Sequence, residues 1–122
     1  MSKPKILVAR AIFPETLARL QQHFDVEANQ ADESWSAGQL IEKLQGKVGV
    51  LTTGGDRIDG AVLAACPALR ICANMAVGYN NFDVDAMTAR GVLATNAPDV
   101  LTETTAHFGF ALLMAAARRM TE

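Results

Sequence analysis

The sequence predicts an α/β domain built on a flavodoxin-like parallel sheet, and three observations support this prediction. Segments of strand and helix character alternate about five times along the chain, and parallel strands need such crossover helices. The first strand segment is a continuous aliphatic run, which is typical of a strand covered on both faces. Half of the 122 residues are hydrophobic, which suits one domain with a buried core.

Five strands follow from the apolar runs. Residues 25–28 form the weakest run, which predicts a strand at the edge of the sheet. Trp35 lies in the polar segment after it, and we expect its ring to cover the sheet edge rather than to act as a stacking platform. The predicted strands are 5–9, 25–28, 48–52, 69–73 and 92–95.

The helices are recognised from the spacing of their apolar residues and from the residues at their ends. In the first helix, Leu17, Leu20 and Phe24 recur at three- and four-residue spacing and form one apolar stripe. Glycine or proline residues end the next three helices. The predicted helices begin at Pro14, run over 37–45, 59–65 and 84–90, and begin again at Thr102 or Thr104.

The last helix is apolar on almost every side. Residues 108–117 contain no charged side chain, whereas a surface helix normally has one apolar stripe and a polar face. A five-stranded domain covers one side of such a helix, so we expect a further partner surface, from a longer protein or a second copy. Thr102 or Thr104 is the expected N-cap, and Arg118 and Arg119 in the last turn complement the helix dipole.

Composition argues against several classes of partner. The chain has 11 basic and 13 acidic side chains, a formal net charge of −2 and no basic run of five, so neither nucleic acid nor a membrane is the expected partner. The first apolar run is too short for a signal peptide or a spanning helix, which makes the cytoplasm the expected location. Cys66 and Cys72 are expected to be reduced and buried, and without clustered histidines they predict no metal site.

The stretch from Asn74 to Asp83 links the fourth strand to the next helix and contains a glycine turn at Gly78. In open α/β sheets, ligands bind at such junctions, at the carboxyl ends of the strands. Val77 and Gly78 are therefore the first candidates for ligand contact. Thr53 and Gly54 follow the third strand and are expected to face the same crevice.

Other patterns that carry chemistry are weak or absent in this sequence. It contains neither a G-x-G-x-x-G fingerprint nor a P-loop, and the double glycine is better explained as a turn. His23 and His107 are expected to be surface or structural residues, and no nucleophile elbow accompanies them. Helix capping explains Asp83. The residues alone thus predict an α/β domain with a crevice for an anionic or polar ligand near Gly78.

Two longer stretches resemble the D-isomer-specific 2-hydroxyacid dehydrogenases. The stretch 74–83, continued to Val92, is similar to a signature of that family, and 96–106 resembles the turn into its inter-domain helix. The segments 77–83 and 101–104 are most similar to the glyoxylate/hydroxypyruvate reductase branch. The resemblance extends from the first strand to the last residue; it is strong over residues 69–119 and loose before them.

The resemblance implies a two-domain, homodimeric enzyme that reduces a small 2-keto acid, such as glyoxylate or hydroxypyruvate, to the D-2-hydroxy acid with NADH or NADPH. Residues 1–100 would form the first segment of its substrate-binding domain. Residues 101–122 would form the helix that leads to a dinucleotide-binding domain and takes part in the dimer.

Residue roles also follow from the resemblance. Val77 and Gly78 would offer backbone amides to the substrate carboxylate, with Thr53 and Gly54 lining the same pocket. Thr104 would lie near the nicotinamide end of the cofactor.

The catalytic arginine, glutamate and histidine of the family have no counterpart in this sequence, and we expect them beyond Glu122. His107 is not that histidine, because it stands in the inter-domain helix, where the family usually has an acid. The chain alone is therefore expected to be inactive and to bind no cofactor tightly. The alternative is a free-standing, self-associating α/β binding domain without catalysis, whose apolar last helix pairs between copies.

Overall fold

Five strands and five helices alternate along the chain. The computed structural model describes residues 2–122. In chain order its elements are β1 (Lys5–Val8), α1 (Pro14–His23), β2 (Asp25–Ala28), α2 (Ala37–Leu44), β3 (Gly49–Thr52), α3 (Gly60–Ala65), β4 (Ile71–Asn74), α4 (Val84–Arg90), β5 (Leu93–Thr95) and α5 (Thr102–Ala117). The strands form one sheet in the order β2-β1-β3-β4-β5, and all neighbouring pairs are parallel. The predicted flavodoxin-like order and the edge position of β2 are confirmed.

One face of the sheet holds the main hydrophobic core. Leu7 pairs with Val50, and Val50 with Cys72, so these three buried side chains share a face. They belong to one cluster with the buried apolar residues of α2, α3 and α4. Right-handed crossovers put these three helices on the same side of the sheet and α1 on the other. Each buried leucine or valine contributes about 1.5–3 kcal/mol, so this face supplies most of the hydrophobic stabilisation.

The opposite face is covered only in part. Gly49 lies between Ile6 and Ile71 in one row, and a Cβ at Gly49 would come within 3.1 Å of Ile71 Cγ2 and 3.3 Å of Ile6 Cγ2. Helix α1 contacts the β2 side, although none of its residues is fully buried. On the other side, Ile71 is 39% exposed and Leu93 is 66% exposed. The sheet therefore has an open apolar area over β4 and β5.

Short-range hydrogen bonds fix the ends of the middle helices. At the start of α2, Ser36 Oγ accepts from the Gln39 amide and Gln39 Oε1 accepts from the Ser36 amide, which is a capping box. Asp59 caps α3, and Asp83 caps α4 as predicted. Gly91 ends α4 with φ of 66°, a left-handed conformation that costs glycine little.

One expectation about the middle of the chain was wrong in detail. Strand β4 begins at Ile71 rather than at Leu69, because residues 66–69 form a turn in which the Leu69 amide donates to the Cys66 carbonyl. The half-buried Trp35 packs against the core cluster and shares the lining of a small cavity with Asp56. Its role as a cover of the sheet edge stays a prediction.

Helix α5 departs from the prediction at both ends. Neither Thr102 nor Thr104 caps it, because Leu101 precedes the helix in a near-helical conformation and has no side-chain oxygen to accept a hydrogen bond. The predicted helix over 101–122 was also too long, since α5 ends at Ala117. Arg118 and Arg119 therefore follow the helix instead of lying in its last turn.

Almost the entire surface of α5 is exposed. Ala115 is half-buried, and every other residue of the helix is exposed, including Phe108 and Phe110 at 65% each. The expectation that the sheet covers one side of this helix was wrong, since α5 shares no extensive contact with any other described element. Within residues 2–122, no helix combines the length and the apolar character that crossing a membrane requires.

Candidate functional site

The four residues predicted around the crevice lie at one edge of the sheet. Thr53 and Gly54 are in the loop after β3, and Val77 and Gly78 are in the loop after the neighbouring strand β4. The two loops touch, since a Cβ at Gly54 would lie 3.9 Å from that of Ala76. Thr53 is half-buried, and the other three are exposed. The edge is thus lined by backbone that a ligand can reach.

The buried side chain of Asn74 supports the β4 loop through hydrogen bonds. It is the last residue of β4, and its Nδ2 donates to the Gly78 carbonyl at 2.9 Å and to Asn81 Oδ1 at 3.0 Å. Its Oδ1 accepts from Thr52 Oγ1 at 3.0 Å. A buried amide needs such partners, because an unpaired one costs about 1–3 kcal/mol. Asn74 therefore holds the turn around Gly78 in one conformation.

Asn81 extends this network to the β3 loop. Its Nδ2 donates to the Thr53 carbonyl at 3.1 Å and to the Asp56 carbonyl at 2.9 Å. The Asp56 carboxylate in turn accepts from the Thr53 amide at 2.8 Å and from Thr53 Oγ1 at 3.1 Å. Reasoning from the sequence missed this network. The signal was a pair of asparagines, at 74 and 81, on either side of a glycine turn.

Two donors from the segment after β5 hold the carbonyl groups of the β4 loop. Asn96 Nδ2 donates to the Val77 carbonyl at 2.8 Å, and the Ala97 amide donates to the Ala76 carbonyl at 2.9 Å. The amides of Val77 and Gly78 have no acceptor among residues 2–122. Exposed backbone amides in fixed positions suit a carboxylate or another anion, because they need no side-chain ordering.

Thr104 lies on α5 and is exposed. An apolar groove of about 480 Å³ separates the β4 loop from the first turns of α5, and it is lined by Val77, Leu101, Thr102, Thr105 and Ala106. Thr104 is not part of this lining, whereas Thr102 and Thr105 on the same helix are. Its contact with a nicotinamide stays a prediction.

A cation at this end of the sheet, Arg10, is already paired. Arg10 follows β1, and its Nε and Nη2 donate to the two carboxylate oxygens of Asp32 at 2.9 and 3.1 Å. The hydrogen bond from Arg10, followed by one from the Ala11 amide, lowers the pKa of Asp32 below its ordinary value. The same hydrogen bond raises the pKa of Arg10. The positive charge of Arg10 is therefore balanced by Asp32.

Histidine and cysteine chemistry lies elsewhere in the chain. His23 is at the exposed end of α1, and His107 lies on α5 with its Nε2 4.0 Å from Glu103 Oε1. Cys66 and Cys72 are free and buried, as predicted, and burial raises the pKa of both thiols, that of Cys72 to about 12. Neither thiol is thus an available nucleophile. Within residues 2–122, no three side chains of metal-ligand type cluster together.

The family comparison agrees with the sequence resemblance. Residues 6–122 match the model of the D-isomer specific 2-hydroxyacid dehydrogenase catalytic domain. The match covers nearly the whole chain, including both loops of the crevice and α5.

Similar curated proteins are reductases of small acids. The chain is 44% identical over 120 residues to a glyoxylate reductase of Thermococcus gammatolerans. It is 40% identical over 120 residues to glyoxylate/hydroxypyruvate reductase B of Yersinia enterocolitica. Each alignment covers 98% of this chain but only 36% of the relative, so the chain spans about a third of the length of these proteins.

Solved structures share the fold. A Thermus thermophilus protein superimposes with a TM-score of 0.87 at 35% identity, over 97% of this chain and 38% of that protein. An NADPH-dependent glyoxylate/hydroxypyruvate reductase from Sinorhizobium meliloti, in complex with NADP and malonate, gives a TM-score of 0.73 at 33% identity. That match covers 93% of this chain and 34% of the reductase.

Proposed function

The chain belongs to the D-isomer specific 2-hydroxyacid dehydrogenase family, and we propose that it forms the first segment of the substrate-binding domain of an NAD(P)-dependent reductase. The reaction is the reduction of a small 2-keto acid to the D-2-hydroxy acid. Glyoxylate and hydroxypyruvate are the proposed substrates, since the similar curated proteins carry these names. One observation carries the proposal: the amides of two exposed residues, Val77 and Gly78, lie at the carboxyl edge of the sheet without acceptors.

In this proposal, the amides of Val77 and Gly78 bind the substrate carboxylate. Thr53 and Gly54 form the neighbouring wall of the pocket, because their loop touches the β4 loop. The buried network through Asn74 and Asn81 supports the assignment, since a site for a small ion needs donors that do not rearrange. The Sinorhizobium meliloti reductase was solved with malonate, which is also a small carboxylate.

The rest of the chemistry is assigned to other parts of the protein. The described residues do not fit a dinucleotide, because the double glycine after β3 is followed by a helix only at Gly60, so no helix N-terminus adjoins it. The site for NADH or NADPH and the catalytic arginine, glutamate and histidine therefore belong to sequence beyond Glu122. Residues 1–100 serve the substrate, and 101–122, with Thr104 near the nicotinamide, lead to the dinucleotide domain.

A second candidate function is a free-standing α/β binding domain that associates with copies of itself. The observation that favours it is the exposed apolar surface of α5, which has no partner among the described elements. In the first proposal the same surface packs against the dinucleotide domain and contributes to a homodimer.

A titration followed by NMR tests the carboxylate site. Glyoxylate added to the ¹⁵N-labelled chain is expected to shift the amide signals of Val77 and Gly78 and those of Thr53 and Gly54. Glycolaldehyde has the same two-carbon skeleton and aldehyde group but no carboxylate, so it is the matched control and is expected to leave these signals in place. Equal shifts with both compounds, or shifts confined to other residues, contradict the proposal.

Two further measurements test the candidates, one for each. The purified 122-residue chain is expected to show no NAD(P)H oxidation with glyoxylate, and turnover at an enzyme-like rate contradicts the proposal of a partial site. Light scattering over a range of concentrations tests self-association. A monomer at every concentration rules out the second candidate.

A further inference from the structure

We infer that Asn96 is a positioning residue for substrate binding, whose side-chain amide fixes the peptide between Val77 and Gly78 so that the Gly78 N–H faces the substrate carboxylate. This inference rests on the proposed function, because it gives a role to a residue that supports the same pair of amides. Asn96 itself does not touch the carboxylate in this arrangement.

The first step follows from the planarity of the peptide group. In a trans peptide the carbonyl of one residue and the N–H of the next point in opposite directions, and the described residues contain no cis peptide. Asn96 Nδ2 holds the Val77 carbonyl at 2.8 Å. The N–H of Gly78 must therefore point away from Asn96.

The second step determines towards which neighbouring loop the Gly78 N–H points. Strand β4 lies between β3 and β5, so the β4 loop lies between the loops that follow those strands. Asn96 and Ala97 follow β5 and hold two successive carbonyls from that side. The two amides opposite them, those of Val77 and Gly78, therefore face the side of the Thr53–Gly54 loop. This is the side on which the proposed carboxylate lies.

The third step explains why a side chain is needed at this point. Gly78 has no Cβ, so the peptide before it rotates at low steric cost unless its carbonyl is held. The Ala76 carbonyl is held by a backbone donor, the Ala97 amide, but the Val77 carbonyl is held by the Asn96 side chain. Pro98 restricts Ala97 to extended conformations, which keeps this segment in place. Of the two donors to these carbonyls, Asn96 is thus the one that a side-chain substitution removes.

Asn96→Ala and Asn96→Asp test this role. Both variants remove the donor to the Val77 carbonyl, and aspartate keeps the size of the side chain. Asn80→Ala is the matched control, because Asn80 is exposed in the same loop and its side chain donates no hydrogen bond to any described residue. Asn96 is half-buried at a strand end, so the fold is expected to survive; the dispersion of amide signals verifies this for each variant.

Without ligand, both Asn96 variants are expected to move the Gly78 amide signal. Asn80→Ala is expected to move it less, because the Asn80 side chain lies beside Gly78 but does not hold the Val77 carbonyl. With glyoxylate, the dissociation constant is expected to rise about tenfold, as for the loss of one charge-assisted hydrogen bond. In the longer polypeptide that carries this segment, the KM for the keto acid rises and kcat and the KM for NAD(P)H stay near their original values.

The results distinguish this inference from the function on which it rests. If the unaltered chain binds glyoxylate at Val77 and Gly78 and the Asn96 variants bind it equally well, the positioning role is wrong and the proposed function stands. An unmoved Gly78 signal in the ligand-free Asn96 variants also overturns the role. If the unaltered chain shows no carboxylate-dependent shift at these amides, the proposed function fails and the inference fails with it.

Discussion

The side-chain amides of Asn74 and Asn81 hydrogen-bond to each other across the turn that contains Gly78. Asn74 Nδ2 lies 3.0 Å from Asn81 Oδ1, and both residues are buried. Through this pair, the end of β4 is linked to the loop after β3, where Asn81 holds the carbonyls of Thr53 and Asp56. The two walls of the proposed pocket are therefore parts of one hydrogen-bonded unit rather than independent loops.

Replacing Asn81 with alanine is expected to destabilise the chain by roughly 1–3 kcal/mol, because the carbonyls of Thr53 and Asp56 lose their donor in a partly buried place. Urea unfolding measures the change. Asn80→Ala, at an exposed neighbour, is the control and should stay within about 0.5 kcal/mol of the original. Equal stabilities of the two variants would mean that the network contributes nothing.

Helix capping gives a second comparison. Ser36→Ala removes the capping box of α2 and is expected to cost about 1 kcal/mol. Thr102→Ala at the start of α5 removes no capping hydrogen bond and is expected to change the free energy of unfolding by only a few tenths of a kcal/mol. Thermal or urea unfolding of both variants decides the matter, and a larger loss from Thr102→Ala contradicts the described start of α5.

The ion pairs of Glu27 predict a dependence of stability on pH. The hydrogen bond from Lys47, and a weaker one from Lys43, lower the pKa of Glu27 below its ordinary value of 4.5, against the opposing effect of partial burial. A carboxyl group with a lower pKa in the folded state contributes stability above its unfolded pKa, and this contribution is lost as the pH falls through the folded value.

Glu27→Gln is accordingly expected to reduce stability at pH 7, by less than about 1 kcal/mol for so exposed a pair. The difference from the original chain should vanish in strong acid, where both side chains are neutral. The midpoints of urea unfolding, measured from pH 7 to pH 2 for both chains, give this difference in stability. Glu42→Gln is the control, since Glu42 is exposed and forms no ion pair with a described residue. A constant difference across the whole range speaks against the ion pair.

Cys72 is expected to react with iodoacetamide only when the chain unfolds. Its side chain is fully buried, and burial, with a smaller effect of Cys66, raises its pKa to about 12, so almost no thiolate exists at pH 8. Mass spectrometry after labelling in buffer and in urea measures the difference. A Ser2→Cys variant supplies an exposed cysteine as the positive control. Rapid native labelling of Cys72 would show that β4 opens locally.

The exposed surface of α5 is expected to make the isolated chain associate. Phe108 and Leu112 lie one turn apart on this helix, and both are exposed. The double variant Phe108→Lys, Leu112→Lys should shift light scattering towards the monomer. Phe13→Lys is the control, because Phe13 is 79% exposed but lies before α1. If all three chains scatter alike, association does not occur through α5.

The alternation of strands and helices was predictable because it follows from local patterns. Alternating apolar runs and helical spacing required a parallel sheet, and the weak run at 25–28 correctly marked an edge. Asp83 begins α4 and Gly91 ends it, as predicted, since a helix cap involves only neighbouring residues. These features need no information about distant parts of the chain.

The site was only partly predictable, for a physical reason. Val77 and Gly78 stand at a strand end, which the sequence reveals, but the hydrogen bonds that orient them join residues far apart. Asn96 is 19 residues from the carbonyl that it holds, and Asn81 is 28 residues from Thr53. Such contacts depend on how neighbouring loops pack, and an asparagine in a turn has many local alternatives. The ends of α5 were missed because its start has no side-chain cap.

Gly49 couples the substitutions that are tolerated at positions 6, 49 and 71. A methyl group at position 49 would meet the side chains of Ile6 and Ile71 from both neighbouring strands at 3.3 and 3.1 Å. Alanine at this position is therefore compatible only with a smaller or shifted residue beside it, and the order of substitutions matters. Ile71→Ala, which removes the nearer γ-methyl group, favours Gly49→Ala when it comes first, and this is epistasis imposed by the spacing of three adjacent strands.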